Sequence, residues 1–163
     1  MIQNKIKFLL KDVLRNGILA VSRTGTHYFL MKMKWFYYTK CWGMDIHSDA
    51  WLSLRIKLDR TNPKGIHIGQ GTLIAYGTVI LTHDFCRGIY NADTFIGENC
   101  CIGANSFILP GIKIGNHCVV GAMSVITKDI PPRSLVAGNP ARIIRSDIMT
   151  GKWGRIIDFG RRI

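Results

Sequence analysis

Five hexads in unbroken succession constrain this chain more than any other feature of it. From residue 96 it reads Ile96-Gly97-Glu98-Asn99-Cys100-Cys101, Ile102-Gly103-Ala104-Asn105-Ser106-Phe107, Ile108-Leu109-Pro110-Gly111-Ile112-Lys113, Ile114-Gly115-Asn116-His117-Cys118-Val119 and Val120-Gly121-Ala122-Met123-Ser124-Val125. An aliphatic residue opens each hexad, and Gly follows it in four. The pattern also occurs at Ile68-Gly69-Gln70-Gly71-Thr72-Leu73 and Ile74-Ala75-Tyr76-Gly77-Thr78-Val79, and more weakly from Ile46 and Leu52. A period of six fits neither an amphipathic helix nor a simple meander. It fits a short strand and a corner, repeated. Three such units close one triangular coil of eighteen residues, with the opening Ile and Val side chains stacked inside and Gly and Asn at corners whose backbone angles penalise other residues. The expected fold is an all-β parallel β-helix, and its open ends call for caps.

Length and apolar content are sufficient for one packed domain with short flanks: 163 residues, 47% hydrophobic. The expected division is an N-terminal cap or docking segment (1–43), the β-helix (44–144) and a basic C-terminal tail (145–163). No apolar run approaches the eighteen or so residues of a membrane span, and no signal-peptide core is evident, so a cytoplasmic protein is expected. Five cysteines without a CxxC pair suggest neither a disulfide framework nor a thiolate zinc site; they read as small buried hydrophobes. The net charge of +12 is uneven. Residues 1–40 hold eight basic residues against one acid, residues 41–141 eight against seven, and residues 142–163 six against two. No nucleic-acid module accompanies this charge, so no nucleic-acid partner is expected. A phosphate-rich ligand at the C-terminal end and an anionic surface at the N-terminal end suit it better.

The hexads, Ile80-Leu81-Thr82-His83-Asp84, Val125-Ile126-Thr127-Lys128-Asp129-Ile130-Pro131-Pro132 and Val136-Ala137-Gly138-Asn139-Pro140-Ala141-Arg142 together resemble the hexapeptide-repeat acyltransferases. Within them they look most like the acetyltransferases of polysaccharide and O-antigen biosynthesis. The resemblance runs from about Ile46 to Arg145. It implies a left-handed β-helix, a homotrimer with active sites between subunits, and O-acetyl transfer from acetyl coenzyme A as the acyl-donor substrate to a small-molecule or glycan acceptor.

After Ile80 the repeat breaks, and residues 84–94 form an irregular loop before Ile96 resumes it. His83 stands at its root. Transfer from a thioester to a hydroxyl needs a base for the acceptor's proton, and imidazole suits that task. His83 is the expected base. No protein nucleophile is required, since the thioester is already activated. Asp84 is a second candidate, to orient His83 or to contact the acceptor, although neighbours on an extended strand face apart. By resemblance, Gly103-Ala104 and Gly121-Ala122, one coil apart, let a pantetheine arm lie against the backbone; corners demand small residues there in any case. Lys128, Arg142 and Arg145 fall where the family holds the cofactor's phosphates, a role that requires cations. Cys101 stands at the cofactor position where related sugar acetyltransferases often carry Trp, so the resemblance does not define the acyl pocket or its acyl-chain preference.

Two other functions fit the same coil. A γ-class carbonic anhydrase needs three histidines converging on zinc; His83 and His117 are nearly two coils apart, Ala122 stands near where a third ligand belongs, and His47 and His67 read as surface residues. No metal is therefore expected. A non-catalytic assembly module would lack the histidine and the cofactor loop. At the N-terminus, Ile6, Leu9, Leu10, Val13 and Leu14 lie on one helical stripe within residues 5–21. Residues 28–40 then alternate large aromatics with lysines, as at a cap, a trimer contact or a peripheral membrane contact.

Overall fold

A computed structural model describes residues 18–163, so the stripe expected over residues 5–21 lies almost wholly outside the described residues. The described residues divide into two units between Met33 and Lys34. Described in the first is most of helix α1 (Ile18–Phe36), on which Tyr28, Phe29, Leu30 and Met33 are exposed. Lys34 to Phe36 belong to the second unit and are followed by a five-residue π-helical turn, Tyr37–Cys41.

The rest of the second unit is the expected coil. Strands β1 (Asp45–Ile46), β2 (Trp51–Leu52) and β3 (Lys57–Leu58) form one turn of it, and β4 (Ile66–Ile68), β5 (Leu73–Ile74) and β6 (Val79–Ile80) the next. A third turn comprises β7 (Thr94–Ile96), β8 (Cys101–Ile102) and β9 (Phe107–Ile108), and a fourth β10 (Lys113–Ile114), β11 (Val119–Val120) and β12 (Val125–Ile126). Successive strands pass through three sheets in rotation, and within each sheet the coils pair in parallel: β1-β4-β7-β10, β2-β5-β8-β11 and β3-β6-β9-β12. The hexad-opening residues stack in register, Ile46, Ile68, Ile96 and Ile114 in the first sheet, Leu52, Ile74, Ile102 and Val120 in the second, Leu58, Ile80, Ile108 and Ile126 in the third. None is more than 6% exposed. Each such side chain contributes about 1.5–3 kcal/mol by leaving water.

In the last three coils a second inward position lies two residues before the openers of the second and third sheets, filled by Thr72, Thr78, Cys100, Ser106, Cys118 and Ser124, all buried. Their polar atoms are satisfied by backbone carbonyls. Thr72 donates to Gly97 O (2.7 Å), Thr78 to Gly103 O (3.1 Å), Cys100 to Gly115 O (3.1 Å) and Ser106 to Gly121 O (3.0 Å). Cys100 and Cys118 are thus the buried cysteines expected, whereas Cys41 and Cys86, outside the hexads, are exposed and Cys101 faces outward, half-buried.

The corners divide their glycines between two causes, where the sequence suggested one. Positive φ belongs to the fourth place of the hexad: Asn99 (52°), Asn105 (55°), Gly111 (80°), His117 (58°) and Met123 (58°). The Gly that follows the opener is there for clearance instead. A Cβ on Gly103 would lie 2.5 Å from Ala122 N and 2.7 Å from Gly121 C of the next coil.

The eighteen-residue period holds only between the third and fourth coils. Ile96 precedes Ile114 by eighteen residues, but twenty-two separate Ile46 from Ile68 and twenty-eight separate Ile68 from Ile96. Both excess lengths fall at one corner, where the chain leaves the third sheet for the first: residues 59–65 and 81–93.

The open end under the first coil is capped by residues 34–44. Tyr38 and Met44 join the core, Trp35 Nε1 donates to Ile46 O (3.0 Å), and Lys34 Nζ donates to Ser53 O (3.0 Å) and Leu54 O (2.5 Å). At the other end β13 (Leu135–Gly138) extends the second sheet and turns through Asn139-Pro140 into antiparallel β14 (Ala141–Ser146). The following segment, with β15 (Met149–Thr150), descends the first-to-second-sheet corner as a strap. Ile148 N donates to Arg133 O (3.0 Å), Thr150 Oγ1 to Asn99 O (2.5 Å), Trp153 N to Gly71 O (2.5 Å) and Lys152 Nζ to Asp49 (2.6 Å). β16 (Ile156–Asp158) pairs back on β15, and β17 (Arg161–Arg162) on β14.

Candidate active site

The two insertions lie one above the other, and their side chains close on each other. From the first, Asp59 follows β3 at the place that Gly occupies in regular hexads, and it is buried. Thr61 N donates to its Oδ1 (2.9 Å) and Thr82 N to its Oδ2 (2.9 Å). From the second, His83 presents Nδ1 to the same Oδ2 in a short hydrogen bond. Thr82 Oγ1 donating to Asn62 O (3.0 Å) and Asn62 Nδ2 to Ala92 O (3.4 Å) tie the insertions together, and Ala92 N to Thr82 O (2.9 Å) and Thr94 Oγ1 to Leu81 O (2.7 Å) close the second upon itself.

Burial alone would push the Asp59 carboxyl up. The Thr82 and Thr61 N–H groups and the His83 ring outweigh that and hold it down at about 2. An ionised carboxylate only accepts, so His83 Nδ1 carries the hydrogen, and in the neutral ring Nε2 keeps its lone pair. The ring is about one-fifth exposed, against 4% for Asp59. The arrangement is an oriented base: a buried anion fixes tautomer and ring, and stabilises the positive charge that a proton arriving at Nε2 would bring.

Asp84 is not part of that pair. Its carboxylate holds Arg87 Nε (2.6 Å) and accepts from Arg87 N (3.2 Å), and its backbone bridges to Ile89. The Arg87 guanidinium lowers its pKa. The orienting role anticipated for Asp84 thus falls to Asp59, because the carboxylate of the residue next to His83 points along the loop, while the coil below supplies one directly.

The positions expected to hold the cofactor lie elsewhere on this chain. Gly103-Ala104 and Gly121-Ala122 stack at the second-to-third-sheet corner, with Met123 N donating to Ala104 O (2.8 Å). Lys128, exposed, follows β12; Arg142, exposed, and Arg145 are on β14, where the Arg145 guanidinium lies 5.7 Å from the Phe159 ring. Cys101 lies beneath the strap, with Gly154 so close that a Cβ there would come within 2.3 Å of the Cys101 Cβ. Burial raises its thiol pKa. His117 occupies the first-to-second-sheet corner, its Nδ1 2.9 Å from Thr150 O, and does not meet His83 within the chain. No three His, Cys, Asp or Glu side chains converge as a metal site among the described residues.

Sequence reasoning missed Asp59. The available signal was the twenty-two-residue step from Ile46 to Ile68, which marks a first insertion just where an acid stands in the hexad's small-residue place.

Four coils passing through three parallel sheets, with a histidine and a buried carboxylate paired at their irregular corner, define a hexapeptide-repeat protein with an oriented histidine. The bacterial transferase hexapeptide (six repeats) family model matches residues 93–128. YvoF of Bacillus subtilis (strain 168), a presumed acetyltransferase by name, is 37% identical over 133 residues, 81% of this chain and 76% of that protein. The chain belongs to this hexapeptide-repeat transferase family, whose related members are acetyltransferases. Among solved structures, the hexapeptide-repeat-containing acetyltransferase VCA0836 of Vibrio cholerae superposes with a TM-score of 0.53 at 34% identity, over 60% of this chain and 59% of that one. A maltose O-acetyltransferase from Clostridium difficile 630 gives 0.52 at 29%, over 63% and 68%. A second structure of the Vibrio protein, complexed with acetyl coenzyme A, has the same fold (TM-score 0.52, 23% identity, 77% and 85% covered).

Proposed function

We propose that this protein moves an acetyl group from acetyl coenzyme A to a sugar hydroxyl, with His83 as general base. One observation carries the proposal: the buried Asp59 carboxylate is hydrogen-bonded to His83 Nδ1, which supports a neutral ring whose Nε2 is the acceptor. Nε2 takes the acceptor's proton as its oxygen forms a bond to the acyl carbon; the carbon–sulfur bond breaks, and the imidazolium returns the proton to the departing thiolate. Asp59 stabilises the imidazolium between the two transfers. Acetyl coenzyme A supplies the activated thioester. Gly103-Ala104 and Gly121-Ala122 fit the pantetheine arm, because their low profile exposes backbone, and Lys128, Arg142 and Arg145 fit its phosphates.

Those positions and His83 occupy different corners of one chain. We take this as support for a homotrimer in which one subunit's base serves donor bound partly by its neighbour, and the coil is taken as left-handed. Support for a sugar acceptor comes from the maltose enzyme among the structural neighbours; the resemblance of the sequence motifs to polysaccharide acetyltransferases extends the proposal to surface-polysaccharide biosynthesis at the cytoplasmic side. No described helix is long and apolar enough to cross a membrane. The exposed Tyr28, Phe29, Leu30 and Met33 of α1, with the lysines of residues 1–40, suit peripheral contact with anionic lipid. Flotation with anionic vesicles at low salt checks it, and protein left at the bottom of the gradient refutes it.

The test of the chemistry is thiol release from acetyl coenzyme A over a panel of sugars, amines and amino acids. Acceptor-dependent release by the wild type that His83→Ala abolishes is the expected result. Unchanged turnover in that variant overturns the mechanism.

A further inference from the structure

Next to the His83 ring stand two large aromatic side chains that the chemistry above does not use. Phe85 meets the ring edge-on, centroids 4.8 Å apart at 64°, and Tyr90 meets Phe85 in turn at 5.7 Å and 65°. They are 65% and 57% exposed. Core packing does not account for them.

Their placement is built. Asp84 N donates to Ile89 O (2.6 Å) and Ile89 N to Asp84 O (2.8 Å), which closes residues 84–89 into a small hairpin. Gly88, at φ +67°, makes its turn, and the Asp84–Arg87 pair braces it. Ala92 N then fastens the return to Thr82 O (2.9 Å). This makes Asp84 the staple of a hairpin that carries Phe85 and Tyr90 beside the base.

Exposed aromatics gathered at a reactive group mark a binding surface. Their chemistry also selects the occupant. An aromatic face pairs with the C–H face of a pyranose ring, leaving hydroxyls at the ring's rim directed sideways, and here His83 lies at the side. A small charged acceptor such as an amino acid presents no such face. We infer that Phe85 and Tyr90 form the acceptor platform, on which a pyranose stacks so that one rim hydroxyl reaches His83 Nε2. The inference rests on the proposed sugar acetyl transfer and adds the residues that select its acceptor.

Saturation-transfer NMR with methyl hexopyranosides reads binding without turnover. The ring C–H protons of the glycoside should be saturated by wild-type protein and by His83→Ala, and this should be lost in Phe85→Ala and weakened in Tyr90→Ala. In the thiol-release assay, Phe85→Ala should raise the sugar KM about tenfold and leave the acetyl coenzyme A KM unchanged, while Phe85→Trp restores sugar KM. A wild type that saturates no glycoside, or a Phe85→Ala protein with unaltered glycoside contact and sugar KM, overturns the platform. So does a Phe85→Ala protein whose oligomer dissociates, since the aromatics would then belong to a subunit contact. If the wild type binds glycosides through Phe85 yet acetylates nothing, the transfer reading fails and the platform stands.

Discussion

Where the coil leaves the second sheet, Gly103 lies directly under Gly121, and backbone and hydroxyl are answered by the neighbouring coils: Gly103 N by Val120 O (2.9 Å), the Ser106 hydroxyl by Gly121 O (3.0 Å) and Gly103 O by the Thr78 hydroxyl (3.1 Å). Where it leaves the third, the period fails twice in succession, and the polar group buried there is a carboxylate held by Thr61, Thr82 and His83. One corner spends its hydrogen bonds on stacking coils. The other holds a charge, which is costly to bury unless donors converge on it, and the convergence leaves a histidine with one nitrogen committed and one open. Regularity makes scaffold; paired irregularity makes a site.

Removing the open nitrogen should show the largest effect. His83→Ala is expected to lower acceptor-dependent kcat roughly 10²–10⁴-fold, the scale of a lost general base, with the melting temperature lowered by only several degrees by the lost bond to the Asp59 carboxylate. Steady-state thiol release and a thermal melt check it together. Asp59→Asn should come next. The amide can donate to Nδ1, which moves the ring hydrogen to Nε2 and removes the base, so kcat is expected to fall roughly 10²–10³-fold. Stability separates this variant from a merely disordered one. In the folded protein Asp59 sits at about 2, below its ordinary value of 3.8. Its contribution is therefore fully present above about pH 4 and is lost as pH falls towards 2. It is on the order of 2 kcal/mol. Acid unfolding of the wild type should steepen in that window, and Asp59→Asn should flatten it.

The two corners were not equally legible. Between Ile96 and Ile126 the hexad announces strand, core and corner at once, because each residue's neighbour in space is eighteen places along the chain. His83 was legible as the residue at which that period stops. Asp59 was not, since the first insertion follows only weak hexads and its partner lies twenty-four residues away through irregular chain. The strap from Ile148 to Gly154 was not legible either. Backbone carbonyls at Gly71, Asn99 and Arg133 hold it, and carbonyls leave no mark on side-chain sequence.

At the regular corner, Gly103→Ala asks whether clearance is the cause of glycine there. The added methyl would meet backbone atoms of Val120, Gly121 and Ala122, which no rotamer change relieves. Forcing the coils apart should cost about 1–3 kcal/mol, roughly 2–10 °C in melting temperature. Gly111→Ala is the contrast. Its φ is +80°, but the nearest atom to a new Cβ is Ala92 Cβ at 3.7 Å, so only backbone preference is lost, about 1 kcal/mol. Equal losses in the two variants would mean that conformation, and not coil spacing, sets the glycine pattern.

The smallest expected effect tests whether a histidine at a corner is enough to make a site. His117 also has Nδ1 engaged, by Thr150 O at 2.9 Å, but its partner is a neutral carbonyl of the strap and its backbone sits at φ +58°. Asn99 and Asn105 occupy the same step of their hexads at 52° and 55°, so His117→Asn keeps a tolerated backbone and removes only the ring's bond. One neutral hydrogen bond contributes about 1 kcal/mol, so a fall of roughly 2–4 °C in melting temperature is expected, with kcat and both KM values unchanged. A kcat loss approaching that of His83→Ala would place His117 in the chemistry and end the distinction between the corners. An unaltered kcat beside a lower melting temperature would keep His117 in the scaffold and the chemistry at the corner of His83 and Asp59.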